Sequence, residues 1–145
     1  MPSLDRAALA ARLPHRGPMC LLDQVLDWAP NRIWCRTWTH RDPANPLRSA
    51  GRLHAVCAIE YAAQAMAVHG ALQAAAGAVA PRPGMIGAVR DLRLEVARLD
   101  AIDGPLEISA EQLLADDAYA VYGFELTGAA QRLVSGRISL ALGSA

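Results

Sequence analysis

The chain has 145 residues, 53% of them hydrophobic, and its 14 basic and 14 acidic side chains give a formal net charge of zero. A chain of this length can bury a substantial core but is too short for two ordinary domains, so we expect one domain over residues 1–145. The lack of a basic excess argues against general nucleic-acid binding.

The three cysteines, Cys20, Cys35 and Cys57, are widely spaced, with no CxxC pair and no histidine at zinc-ligand spacing. We expect them to be reduced and packed, and we expect neither a metal nor a cofactor. The N-terminal segment MPSLDRAALAARL lacks the long apolar core of a signal peptide. The sequence therefore predicts a cytoplasmic protein.

The first predicted elements are a short helix and a hairpin. The helix covers residues 6–13, with a cap at Asp5 and a stop at Pro14. The apolar segment from Leu13 to Trp28 leads into a first strand, and the β-branched and aromatic run RIWCRTWT at 32–39 forms a second strand after a short turn. Together the two strands are expected to pair as a hairpin.

The next segment, at residues 40–52, is polar and contains two prolines and a glycine, so it predicts a loop in which His40 is exposed to solvent. It leads into Ala55 to Gly77, AVCAIEYAAQAMAVHGALQAAAG, which is small and apolar almost all the way round. A helix of this kind must be wrapped by other structure, so we expect it at the centre of the fold.

Three polar residues interrupt this apolar helix. Glu60 and Gln64 are four residues apart and share one face, whereas His69 lies about 180° away from Glu60 at about 100° per residue. We expect His69 to be structural. Glu60 and His69 both argue against a membrane span. A carboxylate on a buried helix has either a structural hydrogen-bonding role or a catalytic one, and the helix alone leaves both open.

Four strands are expected after the helix. Beyond a Pro/Gly break at 80–84, apolar residues alternate with other residues at 92–96 and 106–110, and further strands are expected at 119–126 and 132–142. Strands joined by short turns after one helix favour an α+β arrangement, an antiparallel sheet wrapped around that helix. A lone sheet leaves an edge strand uncovered, so we also expect a dimer.

Two segments, LPHRGPMCLLDQVLDW at 13–28 and HAVCAIEYAAQAMA at 54–67, carry a family resemblance. They resemble the N-terminal signature and the central-helix motif of the β-hydroxyacyl-acyl-carrier-protein dehydratases of fatty-acid synthesis. The form IEYAAQAM is similar to the dehydratase-like proteins of aryl-polyene and xanthomonadin pigment clusters. The resemblance implies the hotdog fold, with active sites at a subunit interface, and dehydration of β-hydroxyacyl chains on the phosphopantetheine of acyl carrier protein.

The chain departs from that family at the catalytic histidine. The fatty-acid enzymes carry this residue in a loop upstream of the helix, but residues 45–53 are shortened here and contain no histidine. Counting back from Glu60, His54 falls on the proline of the family's helix-start motif, and Ala55 falls on its glycine. Glu60 and Gln64 carry over directly, whereas the catalytic histidine does not.

Dehydration needs a base for the α-proton, an acid for the departing hydroxyl and donors for the thioester oxygen. Glu60 is the candidate acid, because desolvation on an apolar helix favours the protonated carboxyl, and Gln64 is a supporting residue. The N–H groups of Ala55 and Val56 are candidate donors to the thioester oxygen. His54 is the candidate base; it does not share a helix face with Glu60, so the two would meet across a dimer.

Other assignments stay open. DPANPLR at 42–48 is similar to the Asp-x-Asn-Pro-Leu-His motif of the hotdog enoyl-CoA hydratases, but the spacing is one longer and Arg48 takes the histidine position. A thioesterase on the same fold is a second alternative, in which a carboxylate activates water. A third is a non-catalytic acyl-binding subunit beside an active partner, since the sequence is compatible with a homodimer or with a hetero-oligomer containing another hotdog subunit.

Three arginines lie in the loops that flank the two ends of the helix, namely Arg48, Arg52 and Arg82. Carrier proteins are generally acidic, and complementary charge speeds encounter and fixes orientation. We therefore predict that these arginines dock acyl carrier protein; the alternative is that they are ordinary solvated loop residues.

Overall fold

A computed structural model of the chain describes residues 3–11, 19–77 and 84–143. The helices and strands found there follow the predicted order. In chain order they are α1 (Arg6–Ala10), β1 (Gln24–Ala29), β2 (Arg32–Thr37), α2 (Ala58–Gly77), β3 (Gly84–Leu94), β4 (Leu106–Ala115), β5 (Tyr119–Gly128) and β6 (Gln131–Leu142), with short 3-10 turns at Thr39–Arg41 and Ala55–Cys57.

The strands form one six-stranded sheet in the order β1-β2-β4-β5-β6-β3. Every neighbouring pair is antiparallel. The long helix α2 packs against the middle of this sheet, on β2, β4 and β5. The predicted antiparallel sheet around one long helix is therefore confirmed.

The core lies between α2 and the inner face of the sheet. Alternate residues of β2 and β5 are buried, as period-two strands with one covered face require. Small buried residues of α2, including Ala58, Ala62 and Ala65, let the strands approach the helix closely. The segment Ala55–Gly77 is long and apolar enough to cross a membrane by length and composition, but 56% of its apolar window is buried inside the fold, as in a core helix.

His69 is fully buried in this core and bonded through both ring nitrogens. Its Nε2 lies 2.8 Å from the carbonyl oxygen of Ala29, and its Nδ1 lies 2.6 Å from the hydroxyl of Tyr122. Because a carbonyl only accepts, Nε2 carries the proton and Nδ1 accepts from the tyrosine. The predicted structural role of His69 is confirmed.

The N-terminal elements match their predictions except in their ends. Asp5 caps α1, since its Oδ1 accepts the N–H of Ala8 at 3.0 Å. Residues 12–14, where the helix was expected to end, lie outside the described residues. The hairpin of β1 and β2 is confirmed, although β1 begins only at Gln24 because the apolar segment before it is irregular. The three cysteines are unpaired, with Cys20 and Cys35 buried and Cys57 partly buried, as expected.

The strand after the helix differs from its prediction. β3 begins at Gly84 and ends at Leu94, so the alternation expected through residue 96 is wrong. Asp91 has a φ of 54°, and the register with β6 shifts between Arg90 and Arg93. This bulge lies at the start of the alternation predicted at 92–96 and breaks it there.

β3 is also an edge of the sheet, and it is long and apolar for an edge. Met85 is 75% exposed and Ile86 is 42% exposed. Such an edge offers unpaired backbone groups to another strand. The exposed edge expected from the sequence is therefore found at β3.

Candidate active site

Glu60 lies in the first turn of α2 and is partly buried. The sequence predicted a buried carboxylate at this position. Because Glu60 is only partly buried, its carboxylate is not fully removed from water within one chain. The helix N-terminus places partial positive charge near this position, which stabilises a carboxylate there. A second subunit would have to cover Glu60 before its surroundings became apolar on all sides.

The backbone at the start of the helix was expected to supply two free donors. The structure contradicts this for Ala55, whose N–H donates to the carbonyl of Ala97 at 3.0 Å. The N–H of Val56 has no acceptor among the described residues, and the Val56 side chain is exposed. The backbone N–H of Val56, and not that of Ala55, is therefore the candidate donor to a thioester oxygen.

His54 is exposed at the residue preceding this turn. Its backbone is extended, with φ −64° and ψ 147°, and its side chain makes no capping hydrogen bond to the helix. The alternative in which His54 is held by the backbone at the helix start gains no support from this geometry. An exposed imidazole at this position can face a second subunit.

Two residues that the sequence analysis missed anchor the backbone before His54. The carboxylate of Asp100 accepts the N–H of Leu53 at 2.9 Å and also binds the guanidinium of Arg98. The Arg98 guanidinium holds the pKa of Asp100 well below its usual range. The sequence around these residues gave no signal, because an Arg and an Asp two positions apart also occur on ordinary solvated surfaces.

Gln64 is 1% exposed, and both ends of its amide are bonded to backbone. Its Oε1 accepts the N–H of Leu21 at 2.9 Å, and its Nε2 donates to the carbonyl of Met19 at 2.7 Å. Gln64 thus supports the segment that precedes β1, and its amide is not available to a substrate unless these bonds break.

The loop between β2 and the helix is held by its own side chains. Asp42 accepts the N–H of Ala44 at 2.8 Å, and the Asn45 amide oxygen accepts the N–H of Leu47 at 2.9 Å. Asn45 is itself buried and donates to the Tyr61 hydroxyl at 3.0 Å. The hydratase-like residues 42–48 therefore build a fixed loop that contains no histidine.

His40, expected to be exposed at the end of a strand, is fully buried, so that expectation is wrong. The 3-10 turn Thr39–Arg41 folds the side chain inward, and its Nε2 donates to the carbonyl of Ile102 at 3.0 Å. Burial lowers the pKa of His40 and also that of His69. Both rings are therefore neutral in the folded protein near neutral pH.

The three predicted docking arginines have different surroundings. Arg48 donates to the carbonyls of Gly51 at 3.0 Å and His40 at 3.1 Å, so it stabilises the loop, and its docking role stays a prediction. Arg52 is exposed, and its side chain has no partner among the described residues. Arg82 lies outside the described residues, so its docking role stays a prediction.

The neutral histidines predict acid-sensitive stability. An unfolded histidine has a pKa near about 6.5, above the lowered folded values, so the unfolded state binds more protons as the pH falls below about 6.5. The free energy of unfolding should therefore be highest above that pH and decrease below it. Urea unfolding between pH 7.5 and pH 5 measures this decrease. His40→Gln keeps a donor for the carbonyl of Ile102, and it should reduce the change in the free energy of unfolding with pH. The same pH dependence in that variant would contradict the assignment for His40.

A groove of about 710 Å³ crosses the outer face of the sheet, away from the helix. Its lining includes Trp34, Arg93 and Arg137 and none of the predicted site residues. The chemistry expected at Glu60 is thus unrelated to this groove.

Comparison with known proteins identifies a family and a fold. A family model described as ApeP-like, ApeP dehydratase, matches residues 7–143. The solved structure of the dehydratase heterocomplex ApeI:P from Xenorhabdus doucetiae is 28% identical to the chain, covers 94% of this chain and 91% of that chain, and superposes with a TM-score of 0.83. No curated protein matches the chain.

Two further solved structures are similar in fold alone. A hypothetical thioesterase with coenzyme A from Streptococcus pneumoniae TIGR4 is 13% identical, with coverage of 83% of this chain and 84% of that chain and a TM-score of 0.57. AziG from S. sahachiroi is 19% identical, with coverage of 83% and 90% and a TM-score of 0.57. The sheet topology and these likenesses confirm the predicted hotdog fold.

Proposed function

Because this chain belongs to the ApeP-like dehydratase family, we propose that it dehydrates β-hydroxyacyl thioesters carried on acyl carrier protein. We further propose that residues 1–145 form one hotdog domain that works in the cytoplasm. The observation that carries the proposal is the family match together with Glu60, a partly buried carboxylate at a helix start. Glu60 lies four residues after Val56, whose N–H has no acceptor among the described residues.

The proposed reaction removes water from the thioester. A base takes the α-proton, the electron pair of that C–H bond forms the Cα–Cβ double bond, and the C–O bond at the β-carbon breaks. Glu60 gives its proton to the departing hydroxyl, which leaves as water. The N–H of Val56 donates to the thioester oxygen while enolate character develops there.

Among the residues that the structure describes, one chain brings no base to this site. Of the histidines that the structure describes, His40 and His69 are buried and bonded, so neither can accept a proton from a substrate without unfolding its surroundings. We assign the base either to His54, reached across a subunit interface, or to a histidine of a different hotdog subunit. Replacing His54 by Ala in the assembled enzyme separates these two assignments.

A second hotdog subunit is the partner that β3 best supports. Its apolar edge would gain strand pairing and would bury Met85 and Ile86. The similar ApeI:P structure is described as a dehydratase heterocomplex, which supports a hetero-oligomer over a homodimer for this chain. In such an assembly this chain supplies Glu60 and the Val56 N–H.

A non-catalytic role beside an active partner is the second candidate function. It is favoured by the loop at 42–48, which is fixed by its own hydrogen bonds and carries no histidine. The thioesterase likenesses are below 25% identity and support only the fold. Thioesterase activity is therefore a weaker alternative.

One assay distinguishes these functions. A β-hydroxyacyl thioester is incubated with the chain alone and with a second hotdog dehydratase subunit, and the ultraviolet absorbance of the enoyl product is followed. Enoyl product in the assembled enzyme that disappears with Glu60→Gln supports the proposal. Release of free thiol would indicate hydrolysis. Full activity of the complex with Glu60→Gln would assign this chain the non-catalytic role.

Charge reversal at Arg52 tests the docking of carrier protein. Arg52→Glu should raise the apparent KM for acyl carrier protein by about 3- to 10-fold, because a rim charge acts mainly on encounter, while kcat for a small thioester stays unchanged. Arg32→Glu is the control, at an exposed arginine at the start of β2 that pairs with Asp27. Equal KM values for the Arg52 and Arg32 variants would contradict the docking role.

A further inference from the structure

Residues 20–22, the middle of the segment Met19–Asp23, are buried without belonging to a strand, whereas Met19 is exposed. Leu21 and Leu22 are fully buried, and Cys20 is nearly so, yet β1 begins only at Gln24. Buried backbone groups outside regular structure need other hydrogen-bonding partners. The N–H of Asp23 donates to the carbonyl of Arg36, and the other partners found among the described residues are side chains from three other parts of the fold.

Gln64 supplies partners on the helix side. Its amide accepts from the Leu21 N–H and donates to the Met19 carbonyl, so one side chain bonds both a donor and an acceptor of the segment. The two bonds require both halves of the amide. A carboxylate would lose the donor, and an apolar side chain of the same length would lose both bonds.

The opposite side of the segment is bonded by α1, by the last residue of β2 and by the 3-10 turn that follows it. Arg6 donates to the carbonyls of residues 20 and 22, at 2.7 Å and 3.0 Å. Thr37 and Thr39 donate to the Leu21 carbonyl, at 2.5 Å and 2.7 Å. The segment is therefore fixed from both sides, and Gln64 is its connection to α2.

Gln64 also connects this segment to the candidate acid. It follows Glu60 by four residues, so the two side chains are neighbours on one helix face, with about 5–6 Å between their Cβ atoms. The segment that Gln64 holds therefore contacts α2 about one turn after Glu60, on the same helix face. A shift of about 1 Å in such a neighbourhood can cost about 10²-fold in rate.

We propose that Gln64 is a positioning residue for the dehydration, which holds Met19–Asp23 against the Glu60 face of α2 and so fixes the wall beside the acid. This inference rests on the proposed function. It assigns Gln64 no contact with substrate. Loss of its two bonds should lower kcat by about 10- to 100-fold and leave the KM within about threefold, because geometry and not binding is lost.

The test uses two variants in the assembled enzyme. Gln64→Met removes both hydrogen bonds at similar volume. Gln64→Glu restores both only when the carboxyl is protonated, since then its O–H can donate to Met19 while its C=O accepts from Leu21. The ratio of its kcat to that of the unaltered enzyme should therefore increase as the pH falls from 8 to 5.5, whereas the ratio for Gln64→Met should stay constant.

Gln73 provides a matched control, because it lies on the same helix and donates to the carbonyl of Pro30, far along the helix from Glu60. Gln73→Met and Gln73→Glu should leave kcat within about twofold of the unaltered enzyme, with no pH-dependent recovery. A constant ratio for Gln64→Glu, or a kcat for Gln64→Met close to that of the unaltered enzyme, would overturn the proposal.

Amide hydrogen exchange tests the positioning without any enzyme activity. The Leu21 N–H should exchange at least about 10-fold faster in Gln64→Met than in the unaltered protein, since its acceptor is gone. If Gln64→Met does not fold, the same amide is measured in Gln64→Glu at pH 8 and at pH 5.5. Unchanged exchange would overturn the inference. If the assembled enzyme does not dehydrate at all, the proposed function and the rate effect fail together, while the Leu21 exchange still decides whether Gln64 holds the segment.

Discussion

We expect Glu60→Gln to lower the turnover of the assembled dehydratase by roughly 10²- to 10⁴-fold, because an amide keeps the shape of the side chain but cannot give a proton to the departing hydroxyl. The protein should still fold, since a neutral amide replaces a partly buried carboxyl. Melting temperature and dehydration rate are measured on the same preparation. The two readouts separate loss of chemistry from loss of structure.

Glu111→Gln is the matched control for this variant, because Glu111 is exposed on the outer face of the sheet. It should leave both turnover and melting temperature unchanged. A clear decrease in melting temperature with near-normal turnover in Glu60→Gln would refute the assignment of Glu60 as the acid. It would also remove the main support for a catalytic role of this chain.

The largest stability effect is expected at His69. His69→Ala should lower the free energy of unfolding by about 3 kcal/mol, because it opens a cavity and leaves the Tyr122 hydroxyl and the Ala29 carbonyl without their buried partner. Urea denaturation at pH 7.5 measures the change, at a pH where both buried histidines are neutral. The slope of the free energy of unfolding against urea concentration should stay the same, because the same surface is exposed on unfolding.

His54→Ala is the corresponding control, since it removes the same side chain from an exposed position. Its stability should change by less than about 0.5 kcal/mol. If His54 is the base, this variant loses activity while remaining as stable as the unaltered protein. Equal destabilisation by the two substitutions would contradict the structural role of His69.

The fold could be predicted where the spacing of apolar residues in a segment indicates which of its residues are buried. The apolar run at 55–77 and the alternation at 106–110 each identify an element that the core covers on the predicted face. β3 was misplaced because an exposed edge has no covered face to impose alternation, and the bulge at Asp91 shifts the register. The spacing of apolar residues therefore located the central helix and strands better than the edge strand β3.

The candidate site could be predicted only in part, for a related reason. Glu60 and Gln64 are conspicuous because polar residues are rare in that helix. The bond from Ala55 to Ala97 and the burial of His40 against Ile102 join segments far apart in the sequence. Composition and spacing carry no information about which donor meets which distant carbonyl, so the availability of a backbone N–H was the least predictable property of the site.

The fixed loop between β2 and the helix has an evolutionary consequence. Arg48 occupies the position at which the hotdog hydratases carry a histidine, and it spans the carbonyls of Gly51 and His40. An imidazole is too short to bond both, so Arg48→His would gain a candidate base and loosen the loop that has to present it. Any replacement at this position therefore has to reach both carbonyls, or the loop becomes less ordered. The loop itself thus constrains which residue can be selected there.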